Sequence, residues 1–138
     1  MFEASHSQRS SASPEAVWSL WADPKRWPEW NEQVASASLD GPLAVGAKAV
    51  VKFKRGGKMV FEVLELEPER RFLDEARLIG ARFGHEHSLR PAGSGVEISH
   101  RLYISGPMAG FFATMFGRKR LRESVEKFTE RERELAEP

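Results

Sequence analysis

All four tryptophans of the chain stand between Trp18 and Trp30, within Ser13-Pro14-Glu15-Ala16-Val17-Trp18 and Asp23-Pro24-Lys25-Arg26-Trp27-Pro28-Glu29-Trp30-Asn31 or in the short stretch joining them. Each indole buries a large apolar area, and a short helical segment cannot supply the covering surface itself. So many rings in so short a stretch require something wide and concave, which a curved sheet provides. Ser13 is a suitable N-cap, Pro14 suits the first helical position and Glu15 suits the positive end of the helix dipole, so a helix is predicted over 14–22. Val17, Trp18 and Trp21 give it an apolar face. Asp23-Pro24 repeats the cap-then-proline pattern and predicts a second, very short helical turn, closed by Pro28 two residues before Trp30.

The remainder reads mainly as strands. Residues 2–11 carry a weak strand signal, with Ala4, His6 and Gln8 on one face. Ala47, Ala49, Val51 and Phe53 alternate with Lys48, Lys52 and Lys54, the pattern of a half-buried strand. Arg55-Gly56-Gly57-Lys58 turns the chain into a strand over 59–67, and Glu67-Pro68-Glu69-Arg70 turns it into another over 72–79. Gly80 and the cluster Pro91 to Gly95 bound two further strands, over 81–90 and 96–104. Five or six consecutive antiparallel strands make a meander. A helix then starts near Ser105-Gly106-Pro107 and runs to 135. Met108, Phe111, Phe112, Met115 and Phe116 share one of its faces, and Leu121, Val125, Phe128 and Leu135 share another, about 150° away. Gly117 lies between the two sets. It predicts either a bend, or a first half covering a cavity and a second half on the outside of the sheet. The Glu/Arg alternation at 130–134 reads as a solvated helix end.

Composition narrows the function. The 138 residues fit one domain, 1–138, large enough to bury a core without staples. Lys and Arg number 21 against 20 Asp and Glu, so global charge supplies no argument for a nucleic acid or an anionic membrane as partner. The basic cluster Arg118-Lys119-Arg120 with Arg122 reads as a solvated face paired with Glu123 and Glu126. The absence of cysteine removes disulfides, thiolate catalysis and zinc–thiolate sites together. No apolar run approaches bilayer length, and Met1 to His6 lacks a basic-then-apolar signature, so stable membrane insertion is not expected and a cytoplasmic location is.

Four motifs in order resemble those of the START/Bet v 1-like (SRPBCC) superfamily, in its bacterial polyketide cyclase/dehydrase branch. They are Ser13 to Trp18; Asp23-Pro24 to Asn31; Val63 to Arg71, of the form apolar-x-Glu-x-Glu-Pro-x-Arg-Arg; and Gly95 to Arg101 leading to Gly106-Pro107. The resemblance covers essentially the whole chain. It implies an α+β helix-grip fold: a curved antiparallel sheet of six to seven strands around a long C-terminal helix, with two short helices after strand 1. It also implies an internal cavity for a small hydrophobic molecule, since the superfamily includes lipid and sterol carriers, hormone receptors and aromatase/cyclases.

The interior chemistry follows from alternation. Ala81, Phe83, His85, His87 and Leu89 share one strand face, and Val96, Ile98, His100, Leu102 and Ile104 share one on the next strand, so three histidines point at one interior. They either orient a ligand oxygen or shuttle protons, or they are hydrogen-bonded interior residues with no further role. Phe72, Asp74, Ala76 and Leu78 share a third face, which turns Asp74 inward unless the register slips by one residue. An interior Asp74 would pair with a histidine as an acid–base couple. Trp27 and Trp30 form a lid over the cavity mouth, with Phe53, Phe61, Phe83, Phe111, Phe112 and Met115 lining it. No cofactor is expected. No metal is expected either, because no carboxylate is fixed near the histidines by sequence. The leading reading is a carrier or sensor, monomer or homodimer, that holds an apolar, lipid-like or polycyclic molecule. The alternatives are a cyclase/dehydratase that uses Asp74, His85, His87 or His100 as acid and base, and a protein-interaction module.

Overall fold

The computed structural model describes residues 1–138. Seven antiparallel strands form one open curved sheet: β1 Phe2–Ser10, β2 Val34–Leu39, β3 Lys48–Phe53, β4 Lys58–Glu67, β5 Arg71–Leu78, β6 Ala81–Ala92 and β7 Gly95–Ser105. Their spatial order is β1-β7-β6-β5-β4-β3-β2, so β2 to β7 are a meander and β1 closes against β7. Helix α1 (Pro14–Ala22), a 3-10 turn (Pro24–Arg26) and the one-turn helix α2 (Trp27–Trp30) connect the two edge strands. Helices α3 (Ala109–Phe116) and α4 (Arg118–Ala136) end the chain. This is the helix-grip architecture expected from the sequence.

The caps of the first helices are those expected. Ser13 Oγ accepts from the Ala16 amide at 3.2 Å, and Asp23 caps the 3-10 turn through the Lys25 amide at 3.1 Å. The far end of α1 is satisfied by two indoles: Trp27 Nε1 donates to the Trp21 carbonyl at 2.9 Å and Trp30 Nε1 to the Leu20 carbonyl at 3.0 Å. Two carbonyls that the helix leaves without an internal partner thus fix both rings.

At the β4–β5 turn, Pro68 is followed by Glu69 at φ 64° and the Arg70 amide donates to the Glu67 carbonyl at 2.9 Å. Glu69 therefore occupies the left-handed position that such a turn ordinarily reserves for glycine. At the β6–β7 turn a side chain on Gly95 would meet the Ser10 carbonyl oxygen at 1.9 Å, so glycine there lets the end of β1 reach β7.

Strand β2 has no counterpart among the individually predicted elements. Its sequence, Val-Ala-Ser-Ala-Ser-Leu, is small with two serines among six residues, and a register shift between Val34 and Ser36 breaks the period of two, so it offers no sustained alternation to read.

Gly117, at φ 91° and ψ 104°, separates α3 from α4, which is the predicted bend. The other expectation, a second half outside the sheet, is overturned. Leu121, Val125 and Phe128 of α4 are buried in the same core as Val96, Ile98 and Leu102 of β7, so α4 is the helix that the sheet grips. No helix is long and apolar enough to cross a membrane.

Candidate functional site

A cleft of about 750 Å³ opens between α2, the β3–β4 hairpin and the α3–α4 junction. Apolar side chains make most of its wall: Trp27, Trp30, Val34, Val51, Phe53, Phe61, Phe83, Leu102, Met115, Phe116, Leu121 and Phe128. The exposed Arg55, Lys58 and Arg120 stand at its rim. Asp74, His85 and His87 are its buried polar residues.

The alternation of β5, β6 and β7 turns Asp74, His85, His87 and His100 to the inner face, as expected, and all four are buried. His87 and His100 oppose one another in the β6–β7 register, and Asp74 opposes His85 in the β5–β6 register. His85 Nε2 lies 2.8 Å from His100 Nδ1, and His100 Nε2 lies 2.6 Å from Glu132 Oε1. His87 Nδ1 lies 3.0 Å from the Phe72 carbonyl, to which it can only donate. The His85 and His87 rings stack with centroids 3.7 Å apart. Trp21, Trp30, Phe72 and Phe128 surround the cluster with ring centroids 4.7 to 6.3 Å from the imidazoles.

That aromatic enclosure sets the protonation states. Burial holds the imidazoles of His85 and His87 well below their ordinary pKa, with the neighbouring histidines adding to the effect, and it lowers His100 to about 3. Burial also pushes Glu132 well above the usual carboxylate range. The Trp21 indole acts in the opposite direction. It lies beside the carboxyl outside hydrogen-bond geometry, so Trp21 Nε1 and Glu132 Oε2 are both without a formed hydrogen bond. One all-neutral order satisfies the whole chain of contacts: the Glu132 hydroxyl donates to His100 Nε2, and His100 Nδ1–H donates to His85 Nε2.

Asp74 stands apart from this chain. It is 4% exposed, its Oδ1 has no hydrogen-bond partner, and burial raises its pKa to about 8. The expected Asp74–histidine hydrogen bond is absent. His85, its cross-strand neighbour, is stacked on His87 and commits Nε2 to His100 on the opposite side. The carboxyl that does partner a histidine is Glu132, which the Glu/Arg alternation presented as solvated and which is 0% exposed.

Other expected site residues divide. Trp27, Trp30, Phe53, Phe61, Phe83 and Met115 line the cleft. The two tryptophans are buried and tied to α1, so they are fixed wall rather than a lid. His100 lies behind the wall, in contact with His85 and Glu132. Phe111 and Phe112 do not line the cleft. Phe111 is 56% exposed, and Phe112 packs between Phe111 and Phe116, because α3 turns only its C-terminal end to the cavity. In the basic cluster, Lys119 pairs with Glu123 at 3.8 Å, whereas Arg118 bonds to Thr114 and Arg122 lies over the Phe2 ring at 5.4 Å.

The same fold occurs in solved structures of low sequence identity. Protein MLL2253 from Mesorhizobium loti is similar with a TM-score of 0.77 and 19% identity, over 97% of this chain and 96% of that one. TTHA0849 from Thermus thermophilus is similar with a TM-score of 0.76 and 19% identity, over 98% and 97%. The di-domain aromatase/cyclase StfQ from the steffimycin biosynthetic pathway is similar with a TM-score of 0.73 and 11% identity, over 97% of this chain and 50% of that one. No curated protein matches the sequence. The model of one family, polyketide cyclase/dehydrase and lipid transport, matches residues 1–137. With that match over the grip-shaped sheet and its cleft, the chain belongs to the polyketide cyclase/dehydrase and lipid transport family of the START/Bet v 1-like superfamily.

Proposed function

We propose that the cleft binds one small, largely apolar, ring-containing molecule and orients it by an oxygen function held at Asp74 and His85. The observation that carries this reading is the distribution of polarity: an aromatic and aliphatic wall that ends in three buried titratable residues, Asp74, His85 and His87, the first with an unpartnered oxygen. Pockets that recognise small molecules combine a mostly apolar lining with a few placed polar groups. Desolvation supplies the affinity and the polar end supplies the orientation. An open cleft of about 750 Å³ also favours a small molecule over a protein-interaction module, which needs no cavity.

The test compares two probes that share a ring system. Titration calorimetry is expected to show 2-naphthol binding about 5- to 150-fold more tightly than naphthalene, because a buried polar group left unpaired by the wrong ligand costs about 1–3 kcal/mol. The preference should shrink in His85→Ala. Equal affinities for the two probes would contradict a polar end that recognises oxygen.

A second reading, acid–base catalysis of the cyclase or dehydratase type, is favoured by one specific observation. The same cleft wall carries a carboxyl that keeps its proton near neutral pH and an imidazole that is unprotonated there. In the tautomer in which His85 Nε2–H donates to His100 Nδ1, Asp74 would donate a hydrogen bond or proton to a carbonyl oxygen while His85 Nδ1 takes the proton from the adjacent carbon, leaving an enol. Proton NMR in D2O with 2-tetralone tests it. Catalysed deuterium exchange at the activated carbon, lost in Asp74→Asn, is the expected result, and exchange no faster than in buffer contradicts it.

A further inference from the structure

We propose that His85, His87 and His100 form a binding site for one divalent transition-metal ion of the zinc or cobalt class, with its remaining coordination position facing the cleft. One ring nitrogen of each imidazole lies within 4.8 Å of those of the other two. In a tetrahedral site with metal–nitrogen bonds of about 2.0–2.1 Å, the nitrogens stand roughly 3.3 Å apart. The His85–His100 pair at 2.8 Å must therefore open slightly, and no pair has to close by more than about 1.5 Å. Ligation also requires the stacked His85 and His87 rings, now 22° from parallel, to turn until both ring planes contain the ion.

The outer contacts assign the ligand atoms. A metal-bound histidine almost always donates its other ring N–H to a carboxylate, a backbone carbonyl or water, which fixes the ring and strengthens the ligand. His87 has its Nδ1 on the Phe72 carbonyl, leaving Nε2 for the ion. His100 has its Nε2 on Glu132, which leaves Nδ1 for the ion once Glu132 gives up its proton and the imidazole carries its hydrogen on Nε2, donating it to the carboxylate. His85 Nε2 already faces that Nδ1. The sequence argued against a metal because no carboxylate was fixed near the histidines. Glu132, reaching in from α4, is that carboxylate. It does not ligate; it is a positioning residue.

Three further observations fit. Two histidines one residue apart on β6 and a third on the adjacent strand β7 place three imidazoles on one face of rigid backbone. Trp21, Trp30, Phe72 and Phe128 enclose the three imidazoles and keep bulk water from them. His85 and His87 border the cleft, so three protein ligands leave an open position toward it, as in catalytic rather than structural zinc sites. Asp74, with its unpartnered Oδ1 in the same wall, is placed to accept a hydrogen bond from water on that ion. The inference is independent of what organic molecule the cleft holds.

Cobalt(II) titration of chelator-treated protein without a histidine tag tests it, read by visible ligand-field absorption and by metal analysis after desalting. The expected result is one cobalt per chain, displaced by zinc, with the absorption lost in His85→Gln and in His87→Gln. His6→Gln, which alters the chain's other histidine on β1, should leave binding unchanged. Glu132→Gln should keep the stoichiometry while weakening affinity 10–100-fold, with no fall in the stability of the metal-free protein. Absence of the absorption in the wild-type protein, or its survival in both the His85 and His87 variants, would overturn the site. Unchanged affinity in Glu132→Gln would overturn the role given to Glu132.

Discussion

Asp74→Asn is expected to raise the stability of the protein at pH 8 by about 5 kcal/mol and to leave it nearly unchanged at pH 3.5. The sign follows from proton binding. Asp74 has a pKa of about 8 in the folded protein against an ordinary 3.8, so between those values the unfolded chain has released a proton that the folded chain retains. Its contribution is therefore fully present below pH 4 and is lost as pH rises through 8. Asparagine keeps the shape and abolishes the titration, and every other ionisable group cancels in the difference between the two proteins. Thermal unfolding with a chelator present should show the variant melting roughly 15 °C higher at pH 8. Equal melting temperatures across the pH range would mean that Asp74 is solvated or paired. A more stable variant that has lost the deuterium exchange above would mark the buried carboxyl as kept for function at the expense of stability.

The second large effect is at Glu132, where two substitutions separate its charge from its packing. Glu132→Gln removes a carboxyl that burial holds protonated, and its amide can still hydrogen-bond His100 Nε2, so at pH 7 it should be at least as stable as the wild type. Glu132→Ala opens a void under a fully buried residue and strands His100 Nε2. It should unfold at about 3 kcal/mol lower stability than Glu132→Gln. Denaturant titration of both variants checks the difference. If the two were equally stable, neither the void nor the hydrogen bond would matter, and α4 would be anchored by Leu121, Val125 and Phe128 alone.

Glu132 also shows what sequence reading reached and what it missed. The strands β6 and β7 were legible because a period of two places Phe83, His85 and His87, and Ile98, His100 and Leu102, on one face each without any tertiary knowledge. The caps Ser13 and Asp23 and the break at Gly117 were equally local. Glu132 was hidden by its neighbours, for Glu130, Arg131, Arg133 and Glu134 read as solvent. Yet Leu121, Val125, Phe128 and Leu135 recur at intervals of four, three and seven, and position 132 completes that stripe. A glutamate in phase with the buried face was the available signal. Asp74 was legible in direction and misjudged in partner. Alternation says which face a side chain takes, whereas the partner depended on the competing His85–His100 contact, which only the register of three strands creates. Phe111 and Phe112 were placed on the cavity side by helical phase alone, which gives a face but not the point along α3 where the cleft ends.

The tryptophans that demanded a concave partner turn out to enclose the titratable cluster as well as one wall of the cleft. Trp27 and Trp30 line the cavity, and Trp21 and Trp30 cover the imidazoles. The central claim, that this cleft is a binding site for an apolar molecule, is tested most directly by fluorescence titration with 1-anilinonaphthalene-8-sulfonate. Its naphthalene would enter the wall and its sulfonate would meet Arg55, Lys58 and Arg120 at the rim. The expected result is saturable binding of one probe per chain, with quenching of the tryptophans, and loss of both in a folded Leu102→Trp variant that fills the cleft from β7. Binding of equal strength in that variant, or no saturable binding in the wild-type protein, would contradict it.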